Sequence, residues 1–156
     1  MFKKNKIRNY EQSEFSFDEF KQELIRLQRD GYDVYIGADS QIVQEKVSVV
    51  ACVCLYKKNK GGRVFYVKER VSKSKFPTTR IRLLYEAYKS IEVAMEIEEF
   101  VDRDLTIHLD IGSDAVRSLS ARYKKEAESI VLSMGYSCEI KPDSWASSVA
   151  DRFTKT

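Results

Sequence analysis

Two aspartates lie in segments that otherwise have the composition of buried strands. Residues 33–42, DVYIGADSQI, are rich in β-branched and aromatic side chains, yet they include Asp39. Residues 105–112, LTIHLDIG, have the same character and include Asp110. Because a carboxylate costs several kcal/mol to remove from water unless it is paired, each of these acids needs a partner. The two aspartates are therefore the first candidates for a chemical role.

The alternation of side chains along a strand gives each aspartate a defined face. Asp39 shares its face with Tyr35 and Gln41, and Asp110 shares its face with Thr106 and His108. If the two strands are neighbours, the carboxylates lie within a few ångströms, and like charges that close repel unless a cation lies between them. Hard oxygen ligands of this kind suit Mg²⁺ or Mn²⁺. For either residue alone, capping of the following turn is the alternative.

Further acids lie in segments with helical periodicity. Glu86 and Glu92 lie on opposite flanks of the apolar stripe of one predicted helix, so the helical wheel does not choose between them. An isolated glutamate on a helix is usually solvated. Asp151 in the last predicted helix is likewise either a site residue or a solvated one. Asp143, directly after Pro142, could cap that helix.

The elements that must position these acids alternate along the whole chain. The patterns predict the order αβββαβαβα, an α/β arrangement that begins with a helix capped by Ser16 and ended by Gly31. Three strands then form an antiparallel meander. The predicted segments are helices at 15–31, 78–100, 114–135 and 144–155, and strands at 33–42, 46–57, 63–71, 105–112 and 136–141.

Composition indicates one domain over residues 1–156 with a proper core. The chain is 43% hydrophobic and 33% charged. No stretch approaches the roughly 18 consecutive apolar residues of a membrane span, and the first residues lack the apolar run of a signal peptide, so a cytoplasmic protein is predicted. A net charge of +3 permits a polyanionic partner without requiring one.

Basic and aromatic residues supply candidate contacts for nucleic acid. Residues 122–125, RYKK, are one basic run, and solvated loops are the alternative for every such run. The aromatic candidates for stacking on bases are Tyr32, Tyr35, Phe76 and Trp145, although Trp145 is favoured as a core anchor of the last helix. The other basic candidates are Lys57, Lys58, Lys60, Arg63, Lys73 and Lys75.

Three motifs and their order resemble a known family. GADSQ at 37–41, HLDIG at 108–112 and IKPDSWASSVADRFTK at 140–155 are similar to the YkuK family, bacterial proteins predicted to be nucleases related to ribonuclease H. The resemblance implies a ribonuclease H-like fold, in which a five-stranded mixed sheet is flanked by helices. Its strands 1 to 3 are antiparallel, its strands 4 and 5 run parallel to strand 1, and a helix is added at the N-terminus.

The resemblance also implies roles for particular residues. Asp39 matches the aspartate that bridges two Mg²⁺ or Mn²⁺ ions, Asp110 and Glu86 match further ligands, and Asp151 matches the closing aspartate that holds the second ion. Ser40, His108 and Asp143 are candidates for supporting these ligands. His108 could orient a ligand or shuttle a proton, but a hydrogen-bonded structural histidine is favoured.

The implied activity is metal-dependent hydrolysis of nucleic acid by two ions about 4 Å apart. RNA, DNA and hybrid substrates are not distinguished, nor is the oligomeric state. Two departures from ribonuclease H are visible: His108, the single histidine, lies on a predicted strand rather than in a mobile loop, and the basic protrusion that grips hybrid duplexes is missing. A nucleic-acid-binding or protein-interaction module with little or no hydrolysis is the alternative.

Overall fold

A computed structural model describes residues 1–111 and 123–155. The helices are α1 (Phe17–Arg29), α2 (Thr79–Ile97), α3 (Lys124–Ser133) and α4 (Trp145–Thr154). The strands are β1 (Ile7–Asn9), β2 (Glu14–Phe15), β3 (Asp33–Val43), β4 (Lys46–Lys57), β5 (Gly61–Ser72), β6 (Leu105–His108) and β7 (Ser137–Glu139). Short 3₁₀ turns occupy Lys73–Lys75 and Glu98–Phe100. That residues 1–156 form one domain stays a prediction.

The predicted start of the first helix is confirmed at atomic detail. The Oγ of Ser16 accepts a hydrogen bond from the backbone N–H of Glu19 at 3.1 Å, and the Ser16 N–H donates to Oε1 of Glu19 at 2.9 Å. This capping box satisfies two of the backbone groups at the helix terminus. Gly31 follows the helix with φ of +92°, a conformation that glycine adopts without strain.

The sheet keeps the predicted central strands but is larger than predicted. Its order is β2-β1-β5-β4-β3-β6-β7. The antiparallel meander of β3, β4 and β5 is confirmed, and so are the parallel pairings of β6 with β3 and of β7 with β6. The prediction of five strands was wrong, because β1 and β2 add an antiparallel hairpin beside β5. Both are too short and too polar to show alternation, and the pairing of β1 with β5 and of β2 with β1 supplies what their sequence lacks.

The later elements are shorter than their sequence patterns. The fourth predicted strand, 105–112, ends as β6 at His108, so Asp110 follows the strand. The helix predicted over 114–135 is present as α3, and the part of that prediction over 114–122 lies outside the described residues. The N–H of Leu109 donates to Glu139 O at 2.9 Å, which continues the contact between the two strand segments beyond β6.

Two cores of unequal size cover the two faces of the sheet. Helices α1, α2 and α3 pack on one face, in a core that includes Phe20, Leu24 and Ile107. On the other face, α4 is the one helix of the described residues, and it packs against a smaller cluster from β4 and β5. None of the helices in the described ranges is long and apolar enough for a membrane span. The arrangement places the end of β3 between α2 and α4.

Candidate active site

Asp39 lies near the end of the long central strand β3, between helices on the two faces. Its side chain is only 8% exposed. Burial raises its pKa to about 8, and the charge of Glu86, a hydrogen bond shared with Asp151 and the charge of Asp110 act in the same direction. The other three predicted acids therefore lie close to Asp39. The spacing of these residues along the chain is wide, so only the fold brings them into one place.

Glu86 projects from α2 toward the strand residue next to Asp39. Its Oε1 accepts a hydrogen bond from the Oγ of Ser40 at 2.7 Å, and Nη1 of Arg82 donates to the Ser40 carbonyl oxygen at 3.2 Å. Burial raises the pKa of Glu86 to about 7, while Ser40 and Arg82 oppose that shift. Ser40 thus orients a site carboxylate, as proposed for a supporting residue.

Glu92 takes the other flank of α2 and points away from the acids. Its Oε2 lies 2.8 Å from the Met1 amine and 3.4 Å from Nζ of Lys89, and its side chain is half exposed. The choice that the helical wheel left open is therefore decided by packing in favour of Glu86.

Asp110 has a lysine partner that sequence reasoning missed. Its Oδ1 lies 2.8 Å from Nζ of Lys141, and the Lys141 N–H donates to Ile111 O at 3.1 Å. Lys141 lies in the IKPD part of the last motif, and that motif is the sequence signal that could have identified it. Arg82 was also missed, and its signal was its position one turn before Glu86. Both cations lie among carboxylates, where they offset part of the repulsion.

Asp151 reaches the site on α4, which is fastened to the sheet at both ends. The Sγ of Cys52 donates to Ala146 O at 3.3 Å near the start of the helix. The Oγ1 of Thr154 donates to Oε1 of Gln41 at 3.0 Å near its end. Asp151 thus lies one turn from the anchored end of the helix and shares a hydrogen bond with Asp39.

His108, the last residue of β6, has a structural role at the start of α4. It is buried, and its Nδ1 accepts a hydrogen bond from the Ala146 N–H at 3.0 Å, which caps the helix. Burial lowers the pKa of His108 to about 4, against the charge of Asp143. Asp143 therefore lies beside His108 rather than among the acids, and Ser144 is the residue that precedes α4 as its N-cap.

The donor set fits a divalent cation by its chemistry. Asp39 and Glu86 are buried, Asp110 is partly exposed and Asp151 is exposed. A dication near these four carboxylates would favour their ionised forms. Within residues 1–111 and 123–155, however, no three His, Cys, Asp or Glu side chains stand in a ready metal-binding arrangement. Glu86 is held by Ser40 and Asp110 by Lys141. Binding would need these carboxylates to change partners.

The family of the chain follows from comparison with known proteins. The sequence profile described as "Ribonuclease H-like" matches residues 16–155. The chain belongs to the ribonuclease H-like family. It is also 28% identical to the uncharacterised protein YkuK of Bacillus subtilis (strain 168), in a match that covers 81% of each chain. The hairpin of β1 and β2 precedes the matched region, so these two strands are additions to the ribonuclease H-like part.

The predicted basic contacts of this ribonuclease H-like chain lie on two exposed segments. The first comprises Lys57, Lys58, Lys60 and Arg63, at the hairpin between β4 and β5, and the second comprises Lys73 and Lys75 in a 3₁₀ turn before α2. Arg122 lies outside the described residues. Their contact with nucleic acid stays a prediction.

Two of the predicted aromatic candidates lie where their rings are not available to stack on bases. Tyr32 is buried, and Phe76 packs edge-on against Tyr85 with ring centroids 4.9 Å apart. Trp145 is 38% exposed, so it is only partly the core anchor that its sequence context favoured. Its ring centroid lies 4.8 Å from that of Tyr35, which covers one side of the indole.

Proposed function

We propose that the protein hydrolyses phosphodiester bonds of nucleic acid with the help of Mg²⁺ or Mn²⁺. The observation that carries this proposal is the convergence of Glu86, Asp110 and Asp151 on the buried Asp39. Two neighbouring buried acids with raised pKa values, Asp39 and Glu86, are costly for folding and are typical of a functional site. Membership of the ribonuclease H-like family supports a nuclease-type activity without specifying the metal or the substrate.

The residues around Asp39 would have three roles: binding the ions, orienting a carboxylate and contacting a phosphate. Asp39, Glu86, Asp110 and Asp151 would hold two ions, which supply a water of lowered pKa and stabilise the leaving oxygen. The Oγ of Ser40 donates to one carboxylate oxygen of Glu86, and the other oxygen would be the one that binds an ion. The two cations near the acids, Arg82 and Lys141, would contact a phosphate oxygen when a substrate enters.

The proposal predicts proton release when metal binds. At pH 7 Asp39 is mostly protonated because its pKa is about 8, and Glu86 is near its midpoint at about 7. Mg²⁺ or Mn²⁺ favours the ionised forms, so binding should release protons, strengthen as pH rises from 6 to 8, and raise Tm. Calorimetry in two buffers with different ionisation enthalpies measures the release.

The matching control is Asp39→Asn, which should release fewer protons and bind more weakly. If millimolar Mg²⁺ and Mn²⁺ produce neither heat nor a change in Tm, the metal-dependent reaction is wrong and the binding module is the better description.

The test of the function itself uses two glutamates of one helix. Glu86→Gln removes a charge from the acid cluster and should lower cleavage of labelled RNA, DNA, hybrid and junction substrates by about a hundredfold or more. Glu92→Gln makes the same chemical change on the opposite flank of α2, and its activity should stay within about twofold of the parent. Equal losses in both variants, or cleavage by neither the parent nor the variants, would contradict the proposal.

A further inference from the structure

A second feature, separate from the acids, is an open cleft of about 680 Å³ along the outer edge of the sheet. Its floor includes residues 62–64 of β5, where the strand has little cover. Strand β1 pairs with β5 only at Phe65 and Tyr66, so no described strand lies beside the first residues of β5. The walls come from α1 on one face of the sheet and from α4 on the other.

Three aromatic rings of the cleft are left in contact with water. Tyr10 is 63% exposed, Tyr56 is 43% exposed, and Trp145 is the third. The Tyr56 and Trp145 rings meet edge to face with centroids 6.0 Å apart, and the edge of Trp145 is further held by His108 at 5.2 Å. These contacts fix the orientation of Trp145 and leave part of its surface free. Several exposed rings in one cleft are typical of a binding surface.

The charge of the cleft favours an anionic partner. Arg63 and Arg152 are exposed, and neither has a carboxylate of a described residue at ion-pair distance. Arg26 is already paired, with Nη2 lying 2.6 Å from Oε2 of Glu23. Two guanidinium groups without an ion pair in the described part of the chain therefore stand against the single remaining carboxylate of the cleft, Glu11, and Nη1 of Arg63 donates to Gly62 O at 3.0 Å. Guanidinium groups bind phosphate oxygens through paired hydrogen bonds.

Helix α4 connects the cleft to the acid cluster. Trp145 and Arg152 line the cleft, and Asp151, the neighbour of Arg152, faces the acids. Trp145 and Asp151 are six residues apart, so about 9 Å separate them along the helix axis. A chain molecule held by Trp145 and Arg152 would thus reach the acids within a short distance.

We propose that this cleft binds a single-stranded segment of nucleic acid. Bases stack on Tyr56 and Trp145, and phosphates contact Arg63 and Arg152. The faces of bases are available to aromatic side chains only where the bases are unpaired and unstacked, which excludes an intact duplex from this role. The inference rests on the proposed function, because it supplies that same site with its substrate class. The open edge of β5 could also pair with a peptide strand, but the unpaired arginines favour a polyanion.

The experiment uses the indole of Trp145 as its own reporter. Trp145 is the one tryptophan in the chain, so its fluorescence comes from the cleft alone. The full chain is titrated in metal-free buffer, where no cleavage occurs, with oligothymidylate, oligouridylate and a duplex of mixed sequence. We expect saturable quenching by the single strands and at least tenfold weaker binding of the duplex.

Matched variants connect the signal to the cleft. Tyr56→Leu keeps apolar bulk but removes a stacking face, and it should weaken single-strand binding about tenfold. Tyr88→Leu is the control, because Tyr88 is 56% exposed on α2 and lies outside the cleft. Arg63→Gln should weaken binding to every sequence and reduce the slope of log K against log salt by about one.

The outcomes separate this inference from the proposed function. Quenching that depends on Tyr56, without any cleavage in Mg²⁺ or Mn²⁺, would support the cleft and contradict the nuclease. The opposite result would be no quenching of Trp145 by single strands, together with cleavage whose KM and kcat are the same in Tyr56→Leu as in the parent. It would support the nuclease activity and overturn the proposal that the cleft binds single strands. Tighter binding of the duplex, or of a neutral strand-forming peptide, would also overturn it.

Discussion

Asp39→Asn is expected to lower hydrolysis of nucleic acid by at least about a thousandfold while leaving the fold intact. The variant keeps the shape of the side chain and removes the charge on which the other three acids converge. The measurement is single-turnover cleavage of a labelled substrate in Mg²⁺ and in Mn²⁺. Asp33→Asn is the matched control, since Asp33 lies at the exposed start of β3, where it pairs with Arg103 at 3.5 Å.

The same variant should be more stable than the parent in metal-free buffer, with a defined dependence on pH. Folding raises the pKa of Asp39 from 3.8 to about 8, so the folded state holds a proton that the unfolded state releases. The free energy of unfolding of the parent therefore falls progressively as pH rises from about 4 to 8, and Asn at position 39 removes this loss. The gain should therefore be small at pH 4 and largest above pH 8, as urea denaturation measures.

Nucleic-acid affinity in metal-free buffer should hold or increase in Asp39→Asn, because one negative charge near the phosphates is gone. Unfolding of the variant at neutral pH would show instead that Asp39 serves a buried hydrogen-bonding role in the structure. Full activity in the variant would remove Asp39 from the reaction.

Gly37→Ala is expected to have the largest effect on stability. A Cβ at position 37 would lie 2.5 Å from the carbonyl oxygen of Ala146 and 2.6 Å from the backbone nitrogen of Ser147. Both are backbone atoms of α4, so the helix must move away from β3. We expect a loss of about 3 kcal/mol or more in the free energy of unfolding.

Activity should fall together with stability in Gly37→Ala, because α4 carries Asp151 to the acid cluster. Gly62→Ala is the control within the same sheet. Its added Cβ meets only Leu55 O, at 3.4 Å, which is an ordinary contact, so its free energy of unfolding should change by less than about 1 kcal/mol. If the two variants are equally stable, the close approach of α4 to β3 is not a requirement of this fold.

Much of the framework follows from local sequence. The capping box at Ser16 and the three long strands depend on residues close together in the chain, and each is in place. Strand alternation put Asp39 on a defined face of β3, whereas Asp110 lies beyond the end of β6. The motif around Asp151 carried the resemblance to the family that the chain belongs to. These features are readable because caps, turns and alternation are decided by neighbours within a few residues.

Other features depend on contacts between residues far apart in the chain. Glu86 and Glu92 are equivalent on the wheel, and only the packing of α2 against Ser40 distinguishes them. Lys141 becomes the partner of Asp110 because β6 and β7 are parallel neighbours, and β1 is a strand because β5 offers it an edge. Sequence alone determined which acids were available and placed Asp39, Glu86 and Asp151 on their elements. The tertiary structure decided which of them meet, because distance in space is set by the packing of whole elements.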